Sequence, residues 1–203
     1  YGSALNSIPV LHSYRENPSD LYLLRVGYGG VSGAISNITQ DGFAPAAFHS
    51  FPQTLKNDGI TGDYGSGFLG YAINSSTYLL NSDEFGWLSF GGNSSVNGKW
   101  VTVDLTTAAR SRIYIAPAGT WLTLDAGQFR TVSYNTSTGA IKLTFEKGEA
   151  WSPEALLRIS NPSREGKAVT YDTGSLKSNG RGAFIIPVGK KGVAVTLKRA
   201  GQK

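Results

Sequence analysis

Short runs of alternating apolar and polar residues, separated by turn residues, dominate the second half of this chain. Residues 129–134 and 141–145 flank the loop NTSTG at 135–139, which is typical of a β-hairpin. Comparable runs lie at residues 100–105, 112–116, 121–124, 156–159, 168–171, 183–188 and 193–197. Strands this short and regularly spaced indicate a sandwich or barrel in which each strand has one buried face and one face exposed to solvent. We therefore predict that residues 97–203 form an antiparallel β-sandwich.

The first half of the chain has a different pattern. Residues 4–14 and 20–28 carry apolar side chains at helical spacing, and Asp20 is a plausible N-cap of the second run. Residues 66–80 are a third helix candidate, weakened by two glycines. The intervening segment, 33–63, is rich in Gly, Pro and aromatic residues, a composition that favours a functional loop. We predict that residues 1–96 are mostly helix and loop, and that they are not an independent domain.

Composition excludes several kinds of site. The chain has no cysteine, and its two histidines are far apart, so neither a thiolate site nor a metal motif is predicted. No run is long enough to span a membrane as a helix. Residues 1–96 hold three bases and seven acids, whereas residues 97–203 hold sixteen bases and seven acids. The bases are mostly scattered singly, so we expect a solvated basic face and no nucleic-acid partner.

Several motifs resemble a family of large secreted proteins of unknown function that occurs in fungi and bacteria. They are DLYLLRVGYGG at 20–30, DGF at 41–43, FHSFP at 48–52, GDYG at 62–65, EFGW at 84–87 and RIYIAP at 112–117. That family is similar to six-hairpin glycosidases, which join an (α/α)6 toroid to β-sandwich domains. The resemblance implies an α+β chain in which residues 1–96 are the last hairpins of a toroid and residues 97–203 a terminal sandwich. It also implies a partner in the remaining N-terminal part of the same protein, and the start at Tyr1 fits an excerpted chain.

Candidate catalytic residues lie in the Gly-rich segment. Glycoside cleavage uses one carboxyl as acid and another as base or nucleophile. Asp63 is the first candidate and Asp41 the second, because glycines beside them leave room for a ligand. The alternative is that both are turn residues, since Asp-Gly and Gly-Asp are turn dipeptides.

Candidate substrate-binding residues come from the same half of the chain. His49 is placed to bind a sugar hydroxyl or a carboxylate, with a buried structural histidine as the alternative. Tyr64 and Trp87 lie in Gly-rich contexts and are candidate stacking platforms for sugar rings. We predict that these three residues line one cleft with the two aspartates. The other tryptophans, Trp100, Trp121 and Trp151, lie at or beside strands and are expected in the core.

Four glycosylation sequons begin at Asn37, Asn74, Asn93 and Asn135. Of these, Asn135 is the favoured site, because it lies in the predicted hairpin loop. The sequons and the absence of cysteine favour a secreted protein. Two Gly-rich runs lack the Gly-Lys-Ser/Thr of a phosphate loop, so no nucleotide or other cofactor is predicted.

The leading functional hypothesis is part of a secreted glycoside hydrolase that acts on a cell-wall or extracellular polysaccharide. The alternative is a non-catalytic carbohydrate-binding or structural module. A carboxylate pair facing an aromatic wall would favour hydrolysis. An aromatic surface without paired acids would favour binding.

Overall fold

The computed structural model of the chain describes residues 2–35, 76–107, 110–161 and 170–200. The chain divides into two units, residues 1–75 and residues 76–203.

Two helices are described in the first unit, α1 (Gly2–Glu16) and α2 (Leu21–Ile35). The Oδ1 atom of Asp20 accepts a 3.2 Å hydrogen bond from the backbone N–H of Leu23, so Asp20 is the N-cap of α2, as predicted. The helices approach closely where the buried Gly27 of α2 meets Leu11 of α1. A Cβ atom at position 27 would lie only 2.8 Å from the Leu11 side chain, so glycine permits this packing.

Twelve strands are described in the second unit. In chain order they are β1 (Thr77–Ser82), β2 (Gly86–Phe90), β3 (Gly92–Asn97), β4 (Trp100–Leu105), β5 (Arg112–Ile115), β6 (Thr120–Leu124), β7 (Phe129–Asn135), β8 (Ile141–Phe145), β9 (Ala155–Ser160), β10 (Tyr171–Asp172), β11 (Ala183–Ile186) and β12 (Ala194–Arg199).

These strands form two six-stranded sheets. Sheet I has the order β11-β9-β6-β5-β1-β2, and sheet II has the order β10-β12-β8-β7-β4-β3. Neighbouring strands pair antiparallel with one exception among the described pairs, because β1 and β5 run parallel. The unit is therefore a β-sandwich with one mixed sheet.

Strand alternation builds the core between the sheets. Val101 and Val103 of β4, Leu143 of β8 and Leu197 of β12 are fully buried members of one hydrophobic cluster. Sheet I contributes to the same cluster with Leu79, Ile113, Ile115, Leu122, Leu124 and Leu157. Since successive side chains of a strand point to opposite faces, this core determines which residues remain on the outer face of each sheet.

The outer face of sheet I carries a buried aromatic cluster. Tyr78, Tyr114 and Trp121 are register neighbours on β1, β5 and β6, and each alternates with a core residue. Their ring centroids lie 5.1–6.0 Å apart in tilted and edge-on arrangements. All three rings are buried, so both faces of sheet I are buried at this point.

Gly91 carries the chain from sheet I to sheet II, since β2 ends immediately before it and β3 begins immediately after it. Its carbonyl oxygen accepts hydrogen bonds from Thr77 Oγ1 of β1 at 3.3 Å and from the backbone N–H of Thr106 at 3.2 Å. The carbonyl is thereby bonded to β1 of sheet I and to the residue that follows β4 of sheet II. The glycine has φ +87°, a conformation that other residues rarely adopt.

The predicted fold class is wrong. The described residues are mostly β-sheet, with two helices at residues 2–16 and 21–35, and no helical toroid segment is found among them. Residues 77–96, expected to be helix and loop, contain β1, β2 and all but the last residue of β3. The third helix candidate, 66–80, ends inside β1, and its earlier residues lie outside the described ranges. Both faces of β1 are buried, so its sequence does not alternate between apolar and polar residues. That alternation is the pattern that would have identified a strand.

Neither described helix has the length and apolar character required to cross a membrane.

The effect of a valine-to-alanine substitution on stability should depend on whether the valine lies in the core. Val103→Ala should lower the free energy of unfolding by about 2 kcal/mol, because it removes buried methyl groups and leaves a cavity. Val96 on the neighbouring strand β3 is 58% exposed, so Val96→Ala should change the free energy of unfolding by only about 0.5 kcal/mol. Urea unfolding monitored by tryptophan fluorescence measures both. Equal losses would contradict the position of Val103 in a closed core.

Two glycines of α2 provide a second matched pair. Gly27→Ala should loosen the helix pair, since the new methyl group would overlap Leu11. At Gly29 no described heavy atom lies within 4 Å of an added Cβ, and alanine is a better helix former by about 1 kcal/mol. Amide hydrogen exchange in α2 should therefore accelerate in Gly27→Ala and slow in Gly29→Ala. Similar protection in both variants would mean that the helices do not pack at Gly27.

Candidate functional site

The outer face of sheet II is lined with hydroxyl groups. Trp100 and Thr102 of β4 point to the outer face, because Val101 and Val103, which alternate with them, face the core. The hydroxyl oxygens of Thr102 and Ser133 lie 2.7 Å apart across β4 and β7. Those of Thr131 and Thr144 lie 2.6 Å apart across β7 and β8. These cross-strand bonds hold a polar surface in a fixed register.

A groove opens at one end of this face and encloses a cavity of about 670 Å³. Its volume lies in the range of about 300–1,000 Å³ that is usual for ligand pockets. We call it the basic groove, and its lining residues come from β4, β8, β12 and the β7–β8 loop: Trp100, Ser137, Thr138, Ala140, Lys142, Thr196, Lys198 and Arg199.

The β7–β8 loop is held rigidly beside the basic groove. Oδ1 of Asn135 accepts hydrogen bonds from the backbone N–H groups of Ser137 and Thr138 at 3.0 and 2.9 Å. Gly139 follows with φ +66°, and a Cβ there would lie 3.0 Å from Cδ of Arg199. The loop therefore places two hydroxyl side chains at the groove while the Arg199 stem packs against its last glycine.

The electrostatic character of the basic groove is positive. Lys142, Lys198 and Arg199 line it, and none of its described lining residues carries a carboxylate. The Nζ atom of Lys142 lies 4.1 Å from the centroid of the Trp100 ring, a cation–π contact. Asp172 is the register partner of Lys198 on β10, but its Oδ1 accepts a 2.9 Å hydrogen bond from the N–H of Gly174. Among the described residues, none of the three cations forms an ion pair.

Two tyrosines near Arg199 do not neutralise its charge. Burial raises the pKa of the Tyr134 hydroxyl, and the positive charge of Arg199 opposes this effect. Burial likewise raises the pKa of Tyr171, against the opposing influences of the nearby Thr120 hydroxyl and the positive charge of Arg199. Both hydroxyls are therefore protonated and uncharged at neutral pH.

A second, smaller concavity lies at another part of the sandwich. It encloses about 240 Å³ and is lined in part by Glu146, Glu149 and Trp151. Glu146 pairs with Arg110 at 3.7 Å, and Glu149 is exposed. Trp151 is 84% exposed, so its predicted place in the core is wrong.

The predicted cleft lies mostly outside the described residues. Asp41, His49, Asp63 and Tyr64 all fall within residues 36–75, so their grouping stays a prediction. Trp87 is described on β2, where it packs partly buried against the core with its ring centroid 6.1 Å from that of Tyr134.

Sequence reasoning missed Trp100 as a groove residue. It was expected in the core because of its residue type, and Trp121, expected there for the same reason, is indeed buried. The alternation of residues 100–105 contained the missing information. Once Val101 and Val103 face the core, Trp100 must face outward.

The two described sequons differ in accessibility. Asn93 is exposed on the edge strand β3, whereas Asn135 is 8% exposed and its side chain caps the β7–β8 loop. Asn37 and Asn74 lie outside the described residues. Glycosylation of all four stays a prediction, and Asn93 is the more accessible of the two described acceptors.

In the described part of the chain, no cluster of three or more His, Cys, Asp or Glu side chains is arranged to hold a metal ion.

Comparison with known proteins identifies the family. A model of DUF5695, described as a family of unknown function, matches residues 1–196. Comparisons with curated proteins and with solved structures give no match. The prediction of a family of unknown function is confirmed by a match over nearly the whole chain. The chain therefore belongs to DUF5695, a family of unknown function.

Proposed function

We propose that this chain is a carbohydrate-binding part of a secreted protein, and that it binds a glycan in the basic groove. The observation that carries the proposal is the combination of Trp100 with hydroxyl and amine donors in one cavity of about 670 Å³. A sugar presents apolar C–H faces and a rim of hydroxyl groups. A tryptophan ring surrounded by fixed donors is chemically complementary to both.

The position of the groove supports recognition of an extended chain. The hydroxyl pairs Thr102–Ser133 and Thr131–Thr144 continue across the outer face of sheet II beyond the groove. A surface of this kind exchanges hydrogen bonds with water for hydrogen bonds with sugar hydroxyls at little net cost. The aromatic contact at Trp100 then adds affinity at one end.

Binding fits the described geometry better than hydrolysis. Among the described residues that line the basic groove there is no carboxylate, whereas glycosidases use a pair of them. The smaller concavity does contain Glu146 and Glu149, but one is ion-paired and the other exposed. A catalytic acid generally occupies a desolvated site.

Trp100→Ala should weaken glycan binding at least about tenfold, equivalent to about 1.4 kcal/mol, because the stacking surface is lost. Trp151→Ala is the matched control, since Trp151 is exposed and lies outside the basic groove. Affinity electrophoresis in gels containing a panel of cell-wall polysaccharides measures both variants, with circular dichroism to check the fold. If Trp151→Ala weakened binding and Trp100→Ala did not, the site would not be the basic groove.

The glycosidase hypothesis keeps its own test, because its candidate residues lie in a different part of the chain. Asp63→Asn, made in the longest available form of the protein, should reduce glycan cleavage by about 10²–10⁴-fold if Asp63 is the catalytic acid or base. Asp41→Asn tests the second candidate. Unchanged turnover in both variants, or no cleavage by the unmodified protein, would leave binding as the function.

A further inference from the structure

We infer that the glycan bound in the basic groove is acidic, carrying carboxylate or sulfate groups, and that Lys142 pairs with an acidic group of the sugar stacked on Trp100. This inference rests on the proposed function and specifies its ligand class. The geometry of Lys142 and Trp100 is the starting point.

An ammonium group already occupies a face of the Trp100 ring. Nζ of Lys142 lies 4.1 Å from the ring centroid, and both residues line the groove. A neutral sugar stacking on that face must displace the ammonium and lose the cation–π contact. An acidic sugar can instead retain Lys142 beside the ring, because its anionic group pairs with the displaced ammonium at the ring edge.

Two further cations line the groove beside Lys142. Lys198 and Arg199 lie on β12, the direct neighbour of the strand that carries Lys142. A guanidinium binds a carboxylate or sulfate through two parallel hydrogen bonds, and an ammonium binds it as a point charge. Lys142 and Lys198 share the outer face of sheet II, whereas Arg199 has the opposite parity and reaches the groove beside Gly139. Two lysines on this face, with Arg199 at its edge, fit a polymer with repeated acidic groups better than a single charged sugar.

The described residues compensate the charge of these cations only in part. The described ion pair joins Arg110 to Glu146, which lie outside the basic groove. The carboxylate of Asp172 lies opposite Lys198 in the strand register and offsets part of its charge, while the tyrosines near Arg199 are neutral. Three cations with one neighbouring carboxylate leave the groove net positive among the described residues, and a positive potential favours an anionic ligand.

Matched polymers distinguish charge from sugar identity. Polygalacturonate and its fully methyl-esterified form have the same backbone, and only the first is charged. Dextran sulfate and dextran form the corresponding sulfate pair. At low ionic strength, the unmodified chain should bind at least one acidic polymer about tenfold or more tightly than its neutral partner. The pair that shows the difference identifies carboxylate or sulfate as the recognised group.

Lys142→Gln should remove most of that preference and weaken its dependence on salt, since one cation no longer contacts the ligand. Lys147→Gln is the matched control, because Lys147 is exposed and lines the other concavity. Lys198→Gln provides a second groove variant. Loss of preference in both groove variants, with none in the control, supports the inference.

Other outcomes overturn either the inference or the proposed function. Equal binding of charged and neutral partners, still sensitive to Trp100→Ala, would overturn the acidic ligand and keep the carbohydrate-binding function. Binding of single-stranded DNA as tightly as the acidic glycan would also overturn it, because the groove would then recognise negative charge alone. No binding of any polysaccharide would overturn the proposed function itself.

Discussion

The interaction on which this sandwich depends is the burial of every second strand residue in one shared core. Val101, Val103, Leu143 and Leu197 of sheet II meet the apolar residues of sheet I, and their positions fix the register of the strands. The same period leaves the intervening side chains outside, where Trp100 and Lys142 lie together. The packing of the core and the composition of the outer face are therefore two results of one alternation.

The sequence predicted strands correctly where one face of the strand is buried and the other is exposed to solvent. Strands β4 and β8 were predicted to the residue, because Trp100–Leu105 and Ile141–Phe145 alternate clearly. The prediction failed at β1 and β3 for opposite reasons. Four consecutive residues of β1 are buried, so its sequence does not alternate between apolar and polar residues. Most residues of β3 are polar and exposed on the sheet edge, so its sequence also lacks that alternation. The parallel pairing of β1 with β5 also joins distant segments, which local patterns do not reveal.

The basic groove could not be predicted for a related reason. Its cations come from β8 and β12, more than fifty residues apart in the chain, and they become neighbours only through strand pairing. In the sequence alone, neither Lys142 nor Lys198 differs from an ordinary solvated lysine. The excess of bases in the second half was visible in the sequence, but its concentration beside Trp100 depends on the order of strands in sheet II. The candidate catalytic residues, in contrast, rest on sequence patterns alone.

The corner at Gly91 has a consequence for how the sandwich opens. Because one residue joins β2 to β3, and its carbonyl oxygen is bonded from β1 and from the residue that follows β4, the layers are tied at this edge. The opposite edges are formed by β11 and by the two-residue strand β10. Separation of the layers is thus easier at β10 and β11. A partially unfolded intermediate would release the backbone of β12, beside Lys198 and Arg199, to proteases while β1–β4 stayed assembled.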